Sequence, residues 1–151
     1  MGHGDASFQE IERILQFHGI ATVVDVRSTP YSKYAPDFRK STLAEAAAAA
    51  GLGYRWMGDR LGGRPTRSDQ TNRDVAASDQ VVVDSPSFRG ALAEVAALNT
   101  TGPVCLMCAE RHPEHCHRRL FLAPHFEDLG IDVFHILPSG AAQRHQPSLG
   151  I

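Results

Sequence analysis

Residues 104–118, VCLMCAERHPEHCHR, join a predicted buried strand to a predicted helix and decide the fold of this chain. Val104–Met107 is apolar and follows a Gly-Pro turn, which is typical of a buried strand. Pro113 suits the first position of a helix, because the N–H that it lacks would have no partner there. Cys108 is then expected at the carboxyl end of a strand, and Cys116 in the first turns of a helix. Open α/β sheets bind ligands beyond their strand ends, so we expect the functional site here.

The composition narrows the class of protein. The chain has 151 residues, 42% of them hydrophobic and 21% charged, with a formal net charge of -2. These values predict one domain with a real core, and neither a disordered chain nor a globally basic one. No apolar run is long enough to span a bilayer and no signal-peptide pattern is present, so we expect a cytoplasmic protein without membrane contact. The oligomeric state stays open.

The number of cysteines bears on the kind of site that the chain contains. The chain has three cysteines, an odd number. In a protein that is not exported, such a set favours metal, redox or nucleophilic use of the thiols over a disulfide framework.

Helices and strands alternate along the chain. Apolar periodicity predicts a further helix from Pro113 and three earlier helices, over residues 7–18, 41–50 and 87–98, the last capped by a serine. Strands are predicted over residues 20–26, 53–57, 104–107 and 131–137. This order predicts an α/β fold: a small, mostly parallel sheet with helices on both faces, in Rossmann-like layering.

The ends and one long connection have features of their own. Residues 1–4 lead at once into the first helix, so the first strand of such a fold is expected to be truncated or missing. Residues 58–79 are rich in Gly, Arg, Asp and Thr and are too long for a simple connection, which predicts a mobile or functional loop. One domain is predicted over residues 1–137, followed by a loosely ordered tail over 138–151.

Short motifs spread along the chain resemble those of one family. In chain order they are Gly2-His3-Gly4, Asp25-Val26-Arg27-Ser28 with Pro30, Pro36 and Phe38, Gly53-Tyr54, Leu61-Gly62-Gly63-Arg64, Phe88-Arg89, Cys108-Ala109-Glu110 and Cys116-His117-Arg118. As a set they resemble DUF488, a bacterial family of uncharacterised proteins. The resemblance implies an α/β fold and a shared site built from these motifs, and it implies no particular activity.

The sequence departs from the family pattern at two places. A short strand is expected before the Gly-His-Gly motif, which affects the position of His3. Pro124 falls inside a helix that is uninterrupted in similar proteins, and proline removes one helical hydrogen bond. We therefore expect a kink at Pro124.

A metal site is one interpretation of the cysteine motifs. Cys108, Cys116 and His117 are predicted ligands of zinc or iron, with His3 or Glu110 as the fourth, because thiolates and imidazoles suit these metals. The C-x7-C-H spacing is not one of the standard zinc-finger or zinc-ribbon spacings. A purely structural role for the Cys-His-Arg cluster is the alternative.

A nucleophilic or redox site is the competing interpretation. Cys108 is expected to face Arg27, Arg118 and the amino end of a helix, which would lower its thiol pKa below the free value of about 8.5. Cys116 would then be the resolving thiol, with its sulfur near that of Cys108 and near the His117 imidazole. Cys105 alternates to the opposite face of the strand and is predicted to be a core residue that reacts more slowly.

Two carboxylates are candidates for acid–base work. Glu110 follows Cys108 on the same turn and is the predicted general acid or base. Asp25 ends an apolar strand, where a carboxylate serves either as a catalytic base or as the buried partner of an arginine. The residues leave both roles open for Asp25.

Arginines from several motifs suggest an anionic ligand. Arg27, Arg64, Arg89 and Arg118 are expected to converge, and the planar guanidinium suits phosphate or carboxylate. Ser28 is predicted to contact the same substrate. It opens a loop that contains two tyrosines and a lysine, which would either stack on a base or simply pack.

Two functions remain open on the sequence. The first is an enzyme that acts on a small or nucleotide-like anionic substrate through a Cys/His/Glu/Arg site, with a bound transition metal. The second is a nucleic-acid or nucleotide binding module in which the cysteine pair is structural or senses redox state.

Overall fold

The computed structural model describes residues 1–62 and 83–147. The α-helices are α1 (Phe8–Phe17), α2 (Lys40–Ala49), α3 (Gly58–Leu61), α4 (Pro86–Asn99) and α5 (Ala123–Asp128). The strands are β1 (Thr22–Asp25), β2 (Gly53–Trp56), β3 (Val104–Met107), β4 (Phe134–Ile136) and β5 (Ala142–Arg144). Short 3-10 helices lie at Pro36–Phe38 and Pro113–His115, and a π-helix at Arg118–Leu122 precedes α5.

A parallel sheet with the strand order β2-β1-β3 forms the centre of the fold. Along the outer edge of β3 runs the amino-terminal segment, in which Gly2 forms a parallel bridge with Cys108. The His3 N–H donates to the Cys108 carbonyl at 2.9 Å, and the Cys108 N–H donates to the Met1 carbonyl at 3.1 Å. The predicted truncated first strand is therefore present as a short stub.

Helices cover both faces of this sheet, as predicted. Val23 of β1 packs on one face with Ile11 and Leu15 of α1. Its neighbour Val24 points to the other face and packs with residues of α4 and α5, among them Phe88 and Phe126. Strand alternation thus divides the apolar residues into two cores, and each fully buried aliphatic or aromatic side chain contributes about 1.5–3 kcal/mol.

The helix ends follow from local chemistry. Ser7 caps α1 by accepting a hydrogen bond from the Glu10 N–H at 3.2 Å, and Gly19 follows the helix with a φ of 66°. α4 is capped by Ser85 rather than by Ser87, because Pro86 takes its first turn and the Ser85 hydroxyl accepts from the Phe88 N–H. No described helix has the length and apolar character needed to cross a membrane.

The carboxyl-terminal part differs from the predicted tail. Residues 142–144 form β5, which pairs antiparallel with β4 in a two-stranded sheet separate from the parallel one. Gly140 makes the turn possible with a φ of 87°. Inside the hairpin, the buried imidazoles of His135 and His145 are hydrogen-bonded, with Nε2 and Nδ1 2.9 Å apart. The order of this segment comes from strand pairing, which its polar composition does not reveal.

The predicted helix from Pro113 is shorter than expected. Only Pro113–His115 is helical, and Cys116 is extended with φ -98° and ψ 139°. The helix that follows starts at Arg118 in the π form and continues as α5. Pro124 lies in the first turn of α5, so its missing N–H falls where the hydrogen bonding changes from π to α. Cys116 therefore precedes this helix.

The long connection after β2 begins with a close approach to β1. α3 occupies residues 58–61, and the rest of the predicted 58–79 loop from residue 63 onward lies outside the described residues. A Cβ atom on Gly58 would lie 1.8 Å from the Arg27 carbonyl oxygen and 2.6 Å from Trp56 Nε1. Trp56 Nε1 donates to that same carbonyl at 2.8 Å. Gly58 is thus required for the packing that fixes the Arg27 backbone.

Gly58→Ala tests this close approach. The added methyl would force the Arg27 carbonyl away, so we expect a loss of about 1–3 kcal/mol or more in the free energy of unfolding, measured with urea. Gly90→Ala is the matched control, because its added Cβ meets nothing within 4 Å in the middle of α4. It should stabilise the protein by roughly 0.5–1 kcal/mol. Equal effects in the two variants would contradict the packing role of Gly58.

Candidate functional site

Two thiols meet beyond the end of β3. Cys108 follows this strand directly, and Cys116 arrives in an extended conformation after the Pro113–His115 turn. Their Sγ atoms are 3.0 Å apart, within hydrogen-bonding distance, and both residues are free thiols. The predicted proximity of the two sulfurs is therefore confirmed.

Arg118 holds this thiol pair from one side. Its Nε donates to Cys116 Sγ at 3.1 Å, and one terminal nitrogen donates to the Glu110 carbonyl at 2.9 Å. The guanidinium is buried. A buried cation needs a compensating charge, and Cys116 is the group it touches.

The two thiols differ in their protonation. The hydrogen bond from Cys108 and the charge of Arg118 lower the pKa of Cys116 to about 5, against the opposing effect of burial. The hydrogen bond to Cys116 and burial raise the pKa of Cys108 above its ordinary value, although Arg118 opposes them. The pair therefore shares one proton near neutral pH, with the thiolate on Cys116.

The prediction that Cys108 has the lowered pKa is therefore wrong, because the lowered pKa belongs to Cys116. The lowered pKa was expected at Cys108, facing both Arg27 and Arg118. The Arg27 guanidinium instead pairs with Asp25, and Arg118 Nε reaches Cys116. Cys116 is extended and His117 is helical, and in this conformation the Arg118 side chain turns back to Cys116 Sγ. A helix was expected at Cys116, and helical spacing does not predict the contact between Arg118 Nε and Cys116 Sγ.

Cys105 is separate from the pair, as predicted. It is buried in the core cluster on the α1 side of the sheet, with Met107. Cys108 packs against the cluster on the α4 side. Successive strand residues alternate between faces, so three positions along β3 reverse the direction of the side chain.

A buried ionic network lies at the end of the neighbouring strand. Asp25, which is 0% exposed, accepts from Arg27 Nε at 2.8 Å and from its terminal nitrogen at 2.7 Å. The Arg27 N–H and the Tyr54 hydroxyl also donate to the same carboxylate, at 3.2 and 2.7 Å. Burial and this last hydrogen bond raise the pKa of Tyr54, which stays protonated. Of the two open roles for Asp25, the geometry favours that of a buried partner.

His3 belongs to this network rather than to the thiol pair. A terminal nitrogen of Arg27 lies 3.3 Å from His3 Nε2, and His3 Nδ1 lies 2.9 Å from the Gly4 carbonyl oxygen. The ring stacks on Phe38 at a centroid distance of 4.4 Å. Burial lowers the pKa of His3, so the imidazole is neutral, donates through Nδ1–H and accepts from Arg27 through Nε2.

His117 also turns away from the sulfurs. Its Nε2 lies 3.0 Å from the Leu61 carbonyl, and its ring stacks on Phe121 at 4.9 Å. Within residues 1–62 and 83–147, no three His, Cys, Asp or Glu side chains are grouped so as to hold a metal ion. Cys108 and Cys116 are the two predicted ligands that lie together, and zinc or iron stays a prediction.

The remaining predicted site residues are dispersed. The Glu110 carbonyl faces the site, whereas its exposed side chain lies near the His112 N–H, 3.4 Å from Oε1. Arg89 is exposed on α4 and pairs with Asp84. Ser28 lies against Gly62, where an added Cβ would come within 2.1 Å of its hydroxyl. Arg64 lies outside the described residues.

One mostly apolar cavity in the described part of the chain does not include the two sulfurs. It has a volume of about 370 Å³ and lies beside the outer edge of β3, between α5 and the β4–β5 hairpin. Cys105 and Arg118 line it, whereas Cys108 and Cys116 do not. Arg118 therefore lines this cavity and also contacts the thiol pair.

Arg118→Met tests the origin of the Cys116 thiolate. Removing the guanidinium should raise the pKa of the pair by about one to three units. Thiolate absorbance in the ultraviolet, which appears in the native protein as the pH rises through about 5, would then appear at higher pH. Arg119→Met is the matched control, because it removes the same charge without removing the contact to Cys116. Equal shifts in both variants would contradict the assignment.

The Asp25–Arg27 pair is tested by a double-mutant cycle. Arg27→Met should cost about 3–5 kcal/mol in the free energy of unfolding, because it leaves a buried carboxylate without its cation. Combining it with Asp25→Leu removes both charges, so the double variant should be more stable than Arg27→Met alone. Strictly additive losses in urea unfolding would show that the two side chains act independently.

Comparison with known proteins identifies a family but gives no activity. No curated protein and no solved structure matches the chain. A family model does match, over residues 7–123, and its description is "Domain of unknown function DUF488". The matched range covers both thiols, Arg118 and the Asp25–Arg27 pair, and the chain belongs to the DUF488 family.

Proposed function

We propose that this protein is a thiol–disulfide oxidoreductase that works through Cys108 and Cys116. The observation that carries the proposal is the 3.0 Å contact between the two sulfurs, with the Arg118 guanidinium on Cys116. A dithiol that shares one proton holds a thiolate at neutral pH, and the thiolate is the reactive form in disulfide exchange.

The difference in exposure assigns the two roles. Cys108 is partly exposed, whereas Cys116 is 3% exposed. An incoming disulfide therefore reaches Cys108 first, and Cys116 acts as the base and then as the resolving thiol. Glu110 takes part through its carbonyl, which accepts from Arg118 and lies 3.5 Å from Cys108 Sγ.

The first step forms a mixed disulfide. Cys108 Sγ bonds to one sulfur of the substrate, whose S–S bond breaks, and the Cys108 proton passes along the existing hydrogen bond to Cys116. The substrate sulfur that leaves as a thiolate takes this proton, which returns Cys116 to its thiolate form. One substrate half is thereby released as a thiol.

The second step closes the protein disulfide. Cys116 thiolate attacks Cys108 Sγ, the mixed disulfide breaks, and the second substrate half leaves as a thiolate that takes a proton from water. Two electrons have moved from the pair to the substrate, which is now two thiols. Arg118 loses its anionic partner in this step, so reduction of the protein restores the charge balance at a buried guanidinium.

The protein is still an enzyme in this mechanism, but its arginines bind groups of the protein rather than an anionic substrate. Arg27 already has a carboxylate partner and Arg118 a thiolate. Both therefore organise the protein, and the substrate is defined by its disulfide bond rather than by negative charge.

Trapping the mixed disulfide tests the mechanism. With excess glutathione disulfide, Cys116→Ser should retain one glutathione on Cys108, because the resolving thiol is missing. The unaltered protein should instead form the Cys108–Cys116 disulfide and release two glutathione molecules. Intact mass and peptide mapping distinguish these products.

Two further variants serve as controls. Cys108→Ser should form no stable adduct at this site, and Cys105→Ser should behave as the unaltered protein. A stable glutathione adduct on Cys108 of the unaltered protein would contradict the exchange mechanism. Protection of both thiols until a chelator is added would favour the metal site.

A further inference from the structure

A second cleft lies at the opposite edge of the parallel sheet, beside β2. It has a volume of about 730 Å³ and is bounded by the loop after β1, the start of α2 and the end of β2. Aromatic and cationic side chains line it, namely Tyr31, Arg39, Lys40, Tyr54 and Trp56. Neither the thiol pair nor Arg118 contributes to its lining.

Both cationic side chains that line this cleft lie over aromatic rings. The Arg39 guanidinium carbon lies 4.9 Å from the centre of the Tyr31 ring, and Lys40 Nζ lies 4.3 Å from that of Trp56. Such cation–π contacts hold long side chains in one place. Part of the entropy that a ligand would otherwise have to offset is therefore already lost in the free protein.

The charges of these cations are not matched by acids. Within the described part of the chain, neither Arg39 nor Lys40 forms an ion pair with a carboxylate. Six other described arginines do, namely Arg27, Arg55, Arg60, Arg89, Arg111 and Arg144. The cleft therefore keeps a local positive charge on a protein whose formal net charge is -2.

The aromatic surface continues along the loop. Tyr31 is 61% exposed and Tyr34 is 85% exposed, although large apolar rings normally lose water on folding. Lys33 Nζ lies 4.9 Å from the centre of the Tyr34 ring, so this tyrosine also carries a cation. Exposed rings that each hold a cation thus recur along one edge.

We propose that this cleft and loop bind single-stranded nucleic acid. A base stacks on the open face of Tyr31, the flanking phosphates lie on Arg39 and Lys40, and Tyr34 with Lys33 receives a neighbouring nucleotide. Rings that stack bases beside cations that track the backbone are the combination that single strands require. A duplex offers phosphates but keeps its bases stacked, so it would leave the rings without partners.

This site is independent of the proposed thiol chemistry. Its residues come from the Ser28–Tyr34 loop, α2 and β2, and the two cysteines lie beyond β3. Two cleft residues contact the Asp25–Arg27 pair: Tyr54 donates to Asp25, and Trp56 donates to the Arg27 carbonyl. Loss of disulfide exchange therefore leaves the nucleic-acid proposal intact, and the reverse also holds.

The single tryptophan of the chain makes the test direct. Trp56 lines the cleft, so a base that enters should quench its fluorescence without any label. A short oligouridylate is titrated into the full chain at several salt concentrations. Two phosphate contacts predict a slope of about -1.4 for log affinity against log salt.

Substitutions in the cleft separate charge from stacking. Arg39→Gln and Lys40→Gln should each reduce the salt slope by about 0.7. Tyr31→Ala should weaken binding by about fivefold or more while leaving the slope unchanged. Arg13→Gln on α1 is the matched control for charge, because Arg13 is exposed and lies outside the cleft. Circular dichroism and urea unfolding check that each variant is folded.

Several outcomes would overturn the proposal. Equal affinity for a duplex of the same length would mean that the phosphates alone are bound. Equal affinity for uridine monophosphate would limit the cleft to a single nucleotide. Unchanged binding in Tyr31→Ala, or an effect of Arg13→Gln as large as that of Arg39→Gln, would place the contact elsewhere. Absence of any quenching would do the same.

Discussion

The buried carboxylate of Asp25 is the group on which the arrangement of the sheet edge depends. It lies at the end of the central strand and binds the Arg27 guanidinium, the Arg27 N–H and the Tyr54 hydroxyl. Through Arg27 it also reaches His3. Three separate segments of the chain are therefore oriented by one fully buried acid. A charge in this position is tolerated because its oxygen atoms are hydrogen-bonded and its cation is adjacent.

The amino-terminal segment connects this network to the thiol pair. Gly2 passes so close to the Glu110 carbonyl that an added Cβ would lie 1.6 Å from the oxygen. That carbonyl accepts a hydrogen bond from Arg118, which in turn donates to Cys116. Glycine at position 2 is thus needed for the close approach to the Glu110 carbonyl. That carbonyl helps to hold the Arg118 guanidinium against Cys116. The position of His3 follows from its stacking on Phe38 and its hydrogen bonds to Gly4 and Arg27.

The sequence was informative wherever a simple period decides the structure. Alternation along Val104–Met107 correctly placed Cys105 and Cys108 on opposite faces, and the order of helices and strands correctly predicted the parallel sheet. Tyr54 could have been recognised as a partner of Asp25, because it pairs with Val23, which lies on the same face of β1 as Asp25. The protonation of the thiols could not be foreseen, since it depends on the extended backbone at Cys116. Propensity favoured a helix there, whereas Cys116 is extended and accepts a hydrogen bond from Arg118 Nε.

The separation of Cys105 from the other two cysteines has a consequence for the fidelity of oxidation. A chain with three thiols has three possible disulfide pairings, and only the Cys108–Cys116 pairing serves the proposed exchange reaction. Because Cys105 is buried in the core on the α1 side and Cys108 packs against the core on the α4 side, the other pairings require Cys105 to leave its core position. Core packing therefore keeps the Cys105 sulfur apart from the two thiols of the proposed exchange reaction. A cysteine can be kept in the core of such a protein for its size alone, with little risk of disulfide scrambling while the fold is intact.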